Sequence, residues 1–154
     1  MTLQSLELRI PPPAVAAVAA LAMWGLAAAV PHGTAPPVRI TAVWIIAALG
    51  SALAASGAIA FRHARTTLNP TKPDASSALV SAGVFRITRN PMYLGLLLLL
   101  FSFAIYLSSV WALPIPLLFA AYIDRFQIAP EERVLSRLFG ADYATYTAKV
   151  RRWI

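Results

Sequence analysis

Arg89, Asn90 and Tyr93 lie in a short polar string, Arg86-Ile87-Thr88-Arg89-Asn90-Pro91, that runs straight into an apolar segment with no charge in it. Asparagine is a favoured helix N-cap. Proline suits the first helical position, whose N–H would have no intrahelical partner anyway. A helix starting at Pro91 would turn free N–H groups and the positive end of its dipole toward the polar side, where carboxylates and phosphates bind. Arg86 and Arg89 would add full charge beside it. Arg89 and Tyr93 are four apart, and Asn90 and Tyr93 three apart, so either pair can share a helix face. The plainer reading of these residues is ordinary capping, with arginines reaching out of a bilayer.

A second polar group follows further on. Glu131 and Glu132 come directly after Pro130. Acids in a first turn suit the helix dipole, and that alone would explain them. Set in a basic neighbourhood close to an anion-binding helix end, they are also suited to a ligand that carries a cation and hydroxyls. Beyond them the chain is amphipathic, with Leu135, Leu138 and Phe139 on one face. Gly140 is a helix stop, and Asp142 a cap for a second short helix bearing Tyr143, Tyr146 and Val150. Trp153 suits a membrane interface. The chain has no cysteine, and its two histidines, His32 and His63, are far apart. No metal site is expected.

The elements that must position these groups are membrane helices. Of 154 residues, 59% are hydrophobic and 12% charged, against about 25% charged in soluble domains. With a net charge of +7, anionic lipid headgroups are a more natural partner than nucleic acid for so apolar a chain. A single all-α membrane domain over residues 1–154 is expected, with spans at 14–30, 40–61, 92–107 and 111–126. Spanning takes roughly 17–25 residues, so the last two are short and read as a tight hairpin meeting at Ser108-Ser109. Small residues at helical spacing in the second span (Gly50, Ser51, Ala54, Ala55, Gly57, Ala58) allow close packing, within the chain or against a second copy. Ala27-Ala28-Ala29 could end a signal peptide, but the basic leader is missing and further apolar segments follow.

With four spans, residues 62–91, the 127–154 tail and both termini share one side. Of the 13 basic residues only Arg39 falls on the other. Cytoplasmic membrane flanks carry the excess of Lys and Arg, so the termini and the polar rim are expected on the cytoplasmic side of a bacterial inner membrane. None of the four spans contains a charge before Asp124, which counts against a pump or ion-coupled transporter. Chemistry should therefore sit at the rim.

Four stretches in order, "TTLNP" (Thr66–Pro70), "LVSAGVFRITRNPMYLG" (Leu79–Gly95), "EER" (Glu131–Arg133) and "LFGADYATYTAKVRRWI" (Leu138–Ile154), resemble the isoprenylcysteine carboxyl methyltransferase and phospholipid N-methyltransferase family of integral membrane enzymes. The resemblance covers about the last ninety residues. It implies methyl transfer from S-adenosyl-L-methionine at the cytoplasmic face, in a pocket built from a G-x-[aromatic]-x-x-[ST]-R-[HN]-P-x-Y stretch, the acidic pair and the tail. Carried over by match, the cofactor residues are Gly83, Arg89, Asn90, Pro91, Tyr93, Gly95, Glu131 and Glu132. Arg89, Asn90 and Tyr93 are the catalytic candidates, with Thr67 and Asn69 toward the acceptor. Many members carry histidine at the position of Asn90. Asparagine keeps a hydrogen bond but cannot move a proton near neutrality.

The residues agree with that chemistry. The helix end and Arg89 suit a carboxylate, and a glutamate suits a ribose diol or an ammonium. A methyl group activated by a sulfonium mainly needs positioning and exclusion of water. The acceptor would be a lipidic or hydrophobic small molecule entering from the bilayer between the second and third spans, near Gly57, Thr67, Asn69 and Tyr93. Two other readings stay open: a small non-catalytic membrane scaffold or lipid-binding protein, and a nicotinamide-dependent membrane reductase akin to sterol reductases.

Overall fold

The computed structural model describes residues 7–29, 37–65 and 73–154. Thr67 and Asn69, the rest of Thr66–Pro70, and most of the 31–39 connection lie outside them. The described chain is helical: α1 (Pro12–Ala29), α2 (Pro37–His63), α3 (Pro91–Leu107), α4 (Pro114–Ile123) and α5 (Ala129–Lys149), with short 3-10 turns between. Among the described residues, three stretches are long and apolar enough to cross a membrane: Pro12–Ala29, Arg39–His63 and Val110–Lys149. The 17 residues of α3 are apolar but shorter.

Three of the four expected spans fall within a few residues of α1, α2 and α3. The first helix starts at Pro12 rather than Ala14, because prolines are tolerated in a first turn whose N–H groups have no partner. Pro11 O accepts from Ala14 N at 2.8 Å. The fourth expected span, 111–126, falls within the stretch Val110–Lys149; a 3-10 turn at Val110–Ala112 leads into α4 at Pro114, where Pro114 and Pro116 set the helix start. The expected break before a separate surface tail is absent. Helix α4 continues through a π-helical turn, Asp124–Ile128, directly into α5.

That π turn has a local cause. Pro130 has no N–H to give to the carbonyl four residues back, and its ring crowds that carbonyl. The carbonyl is Phe126 O, and the N-terminal segment satisfies it: Leu8 N donates to Phe126 O at 3.0 Å. Ala129 N reaches back five residues to Asp124 O. Beside this contact Glu7 accepts from Arg125 Nη1 at 2.8 Å and also pairs with Arg133. Isolated π turns recur at functional sites, and this one carries Asp124 and Gln127.

Helix α3 is the centre of the bundle, packed on α1, α2 and α4. Its seam with α2 brings backbone against backbone. A Cβ built on Gly95 would stand 2.6 Å from Gly50 O and 2.8 Å from Ala54 Cβ. Higher up, a Cβ on Gly57 would meet Met92 Cγ at 2.9 Å and Pro91 Cγ at 3.1 Å. Small residues permit such approach, where dispersion and interhelical hydrogen bonds hold membrane helices together. One such bond runs from Ser102 Oγ to Val43 O at 2.8 Å, fully buried. Gly50, Ala54 and Gly57 therefore serve packing within the chain, while Ser51 and Ala55 stay exposed. Gly57, expected to face an acceptor opening between these helices, is instead packed against Met92 and Pro91; the part of that opening expected near Thr67 and Asn69 lies outside the described residues.

At the far end α3 stops at Ser108, in a left-handed conformation (φ 56, ψ 21). Arg39 at the start of α2 donates to Ser108 Oγ. The short turn that follows joins α3 to α4 as a tight hairpin.

Candidate functional site

The polar rim sits where α2 ends and α3 begins. Gly83 opens a 3-10 turn, Gly83–Arg86, with φ +61, a backbone state that suits glycine. The turn buries Phe85 edge-on against Phe61 of α2, ring centroids 5.4 Å apart. Arg86 and Ile87 point outward and are exposed. Thr88 is buried.

Asn90 holds the N-cap position and Pro91 the first turn of α3, but the Asn90 side chain makes no capping bond. Its φ/ψ of −129/56 turns it away from the helix. Instead Asn90 Nδ2 donates to Arg152 O at 2.9 Å, as does Thr88 Oγ1 at 3.3 Å. Arg89 N donates to Arg151 O at 3.1 Å. The extended end of the chain is thus laced onto the start of α3. It gets there because α5 is kinked at Gly140 (φ 47, ψ −116) and ends at Val150 (φ −122, ψ 128). Beyond the kink Tyr143 is buried, and Tyr146 Oη donates to Phe85 O at 2.8 Å. Trp153, expected at a membrane interface, packs on the hydrophobic core.

Between these parts lies a cavity. Phe61, Leu79, Val80, Phe85, Met92 and Leu135 form its apolar wall, and Arg89, Asn90, Tyr93, Glu131, Glu132, Tyr143 and Tyr146 its polar wall. Burial pushes both Tyr143 and Tyr146 up to about 12, so at neutral pH they face the cavity as uncharged phenols.

The adjacent glutamates live in different surroundings. Glu132 is held by two cations: Arg89 Nη2 lies 3.2 Å from its Oε1, and Arg152 binds both its oxygens. Arg152 also forks onto Asp124, with Nη1 at 3.0 and 2.9 Å from the two carboxylate oxygens. The side chains of Arg89 and Glu132 are only 16% and 19% exposed. Charges so far from water persist only when paired and hydrogen-bonded. One donor is nevertheless left over: among the described residues Arg89 Nε is buried without a partner. A buried unsatisfied donor costs about 1–3 kcal/mol, a cost a bound anion would remove.

Glu131 contacts no cation among the described residues. Tyr93 Oη donates to its Oε1 at 2.6 Å, and Gln127 Nε2 donates to the same oxygen at 2.9 Å. Burial pushes its carboxyl from 4.5 up to about 7; the hydrogen bonds from Tyr93 and Gln127 oppose the rise, and the charge of Glu132 adds to it.

Of the residues singled out in the sequence, Arg89, Asn90, Pro91, Tyr93, Glu131 and Glu132 are brought together on this one cavity. Gly83 and Gly95 do not line it: Gly83 shapes the turn below it and Gly95 lies in the α2–α3 seam. Sequence reasoning missed Asp124, Gln127 and Arg152. Gln127 stands one helical turn before Glu131, a spacing that could have signalled it. Arg152 had no local signal, since its partners are 20 and 28 positions away.

The fit of this cavity to S-adenosylmethionine rests on the chemistry of its donors. A buried guanidinium with a spare N–H matches a carboxylate, acids match an ammonium and a ribose diol, and an aromatic and aliphatic wall matches a purine.

Comparison with known proteins returns one family description, phospholipid methyltransferase, matched over residues 38–142. A protein of Haemophilus influenzae described as uncharacterized is 43% identical over 63 residues, which are 41% of this chain and 100% of that protein. No solved structure matches.

Proposed function

The chain belongs to the phospholipid methyltransferase family, and on that premise we propose that it is an integral membrane enzyme that methylates a hydrophobic acceptor from S-adenosylmethionine bound in the rim cavity. The observation that carries this reading is Arg89. It lines the cavity, faces Glu132, and keeps a buried Nε with no partner among the described residues.

Arg89, with the N–H groups at the start of α3, would hold the cofactor's carboxylate. Glu132 would take its ammonium or ribose hydroxyls, exchanging part of its contact with Arg89 while Arg152 keeps its charge compensated. Phe85 and Leu135 would flank the base. Bound, the cofactor supplies a methyl group already activated by a positive sulfur. The chain's own work is then to orient the two reactants and keep water out. Tyr143 and Tyr146, the latter donating to Phe85 O, would cover the cavity from the tail side.

The acceptor would reach the apolar wall at Phe61, Leu79 and Val80. Because α2 and α3 are closed against each other at Gly57, entry passes beside the end of α2, not through the seam. A lipophilic acceptor is concentrated in the bilayer at about 0.8 kcal/mol per buried CH₂. The basic charge excess on the rim side supports a cytoplasmic site with both termini on that side.

Titrating the purified protein with S-adenosylmethionine tests the proposal. Saturable binding that Arg89→Ala weakens is the expected result. A folded wild-type protein that shows no saturable binding overturns it.

A further inference from the structure

We propose that Glu131 is the proton acceptor of the reaction, and that the methyl acceptor is therefore a lipophilic protic nucleophile, an amine, thiol or alcohol, rather than a carboxylate. The inference rests on the methyltransferase reading above and adds a role to one residue of the same cavity.

Three observations carry it. Glu131 lines the cavity. Both of its hydrogen bonds, from Tyr93 and Gln127, fall on Oε1. Among the described residues no donor pairs with Oε2 and no cation pairs with the carboxylate, whereas Glu132 beside it is held by Arg89 and Arg152. A carboxylate clamped by two guanidinium groups is a poor base, because its charged form is already stabilised. One fixed on a single oxygen by neutral donors has an oriented second oxygen to offer. Tyr93 from α3 and Gln127 from the π turn fix the rotamer. The charged and titratable groups around it are Tyr93, Glu132, and, across the cavity, Arg89, Tyr143 and Arg152.

The step balances. The acceptor's X–H bond breaks and its proton goes to Oε2. Its electron pair forms the bond to the methyl carbon, and the carbon–sulfur bond breaks with both electrons left on sulfur. A sulfonium and a carboxylate become a thioether and a carboxylic acid, so two opposite charges vanish together inside a poorly solvated cavity. A carboxylate acceptor would bring no proton to remove and would set a second negative charge beside Glu131. The elevated titration of Glu131, at about 7, suits a base working near neutrality.

The test uses full-length protein in zwitterionic vesicles, with three acceptors of equal chain length: dodecylamine, dodecanethiol and dodecanoic acid. Wild type should methylate the amine or the thiol and not the acid. At saturating S-adenosylmethionine, Glu131→Gln should transfer methyl about 100-fold more slowly than wild type, the size of a lost general base. It should also lose the acid limb of the pH–rate profile. A readout independent of turnover is infrared titration of cofactor-free protein. Wild type should show a protonated carboxyl band that disappears near about pH 7 and is missing in Glu131→Gln. Should that variant fail to fold, the wild-type infrared titration and pH profile decide alone. Transfer confined to the acid or to none of the three, normal turnover by Glu131→Gln, or no carboxyl titrating near neutrality overturns the inference while cofactor binding stands. Loss of saturable cofactor binding in wild type instead sinks the methyltransferase reading beneath it.

Discussion

Among the described residues, the two ends of the helix bundle each bury one polar side-chain atom without a partner, Arg89 Nε at the rim and Ser109 Oγ at the hairpin. At the hairpin the surroundings are local apart from one residue at the start of α2. Ser109 starts the turn between α3 and α4, its neighbour Ser108 takes the left-handed cap, and Arg39 donates to Ser108 Oγ. The rim draws on separate stretches of chain. Arg89 precedes α3, Asp124 and Gln127 come from the π turn, Glu131 and Glu132 from α5, and Arg152 from the end of the tail. One end finishes a helix, while the other converges unlike charges and aromatic rings on a cavity. An orphaned neutral hydroxyl carries no charge to recruit a ligand. An orphaned guanidinium N–H beside Glu132 and an aromatic and aliphatic wall is where the proposed cofactor would be held.

Gly95→Leu should break the comparison most severely, because it acts on the seam that supports both ends. With Gly50 O and Ala54 N within 3 Å of any added Cβ, the helices must separate. Overpacking of this kind costs about 3 kcal/mol or more. Thermal unfolding in detergent should show the loss, and both ends should suffer together. An unchanged melting temperature would mean that the seam yields and does not position the rim.

Arg89→Ala comes next. It removes a charged donor from the cavity and leaves Glu132 still paired with Arg152. Affinity for S-adenosylmethionine should fall by roughly 1.5–3 kcal/mol, the range for hydrogen bonds to charged groups, with the melting temperature near wild type. Isothermal titration measures it, and unaltered affinity in a folded variant would remove Arg89 from the site.

The rim should also titrate where the hairpin does not. Glu131 is raised from 4.5 to about 7 in the folded chain. A raised carboxyl favours the folded state in its protonated form. Its contribution is full below the unfolded value and is lost as pH rises through about 7. Melting temperature should therefore decline between about pH 5 and pH 8 more steeply in wild type than in Glu131→Gln. Parallel curves would show that Glu131 does not titrate in this window.

The smallest effect belongs to the hairpin. Arg39→Ala should cost no more than about 1 kcal/mol, as for a partly exposed polar contact, and should leave cofactor affinity untouched. A change in that affinity would link the two ends and undo the contrast drawn between them.

Much of the fold is legible in the residues themselves. Composition marks a membrane chain, since 59% hydrophobic residues leave too little charge for a soluble surface. Pro91 and Gly140 act on their own backbone, so residue type alone places the start of α3 and the kink of α5. Small residues in α2 signal close packing for the same reason. What stays hidden in the sequence depends on chain path. Asn90 looks like a cap, but its amide is drawn off by Arg152 O once the tail returns to it. Pro130 looks like a helix start, yet the helix runs through it because Leu8 N takes up the carbonyl it abandons. Glu131 and Glu132 are indistinguishable as neighbours in a string. Only packing assigns one to Tyr93 and Gln127 and the other to Arg89 and Arg152, because successive residues on a helix point about 100° apart and meet whatever distant segment lies in that direction.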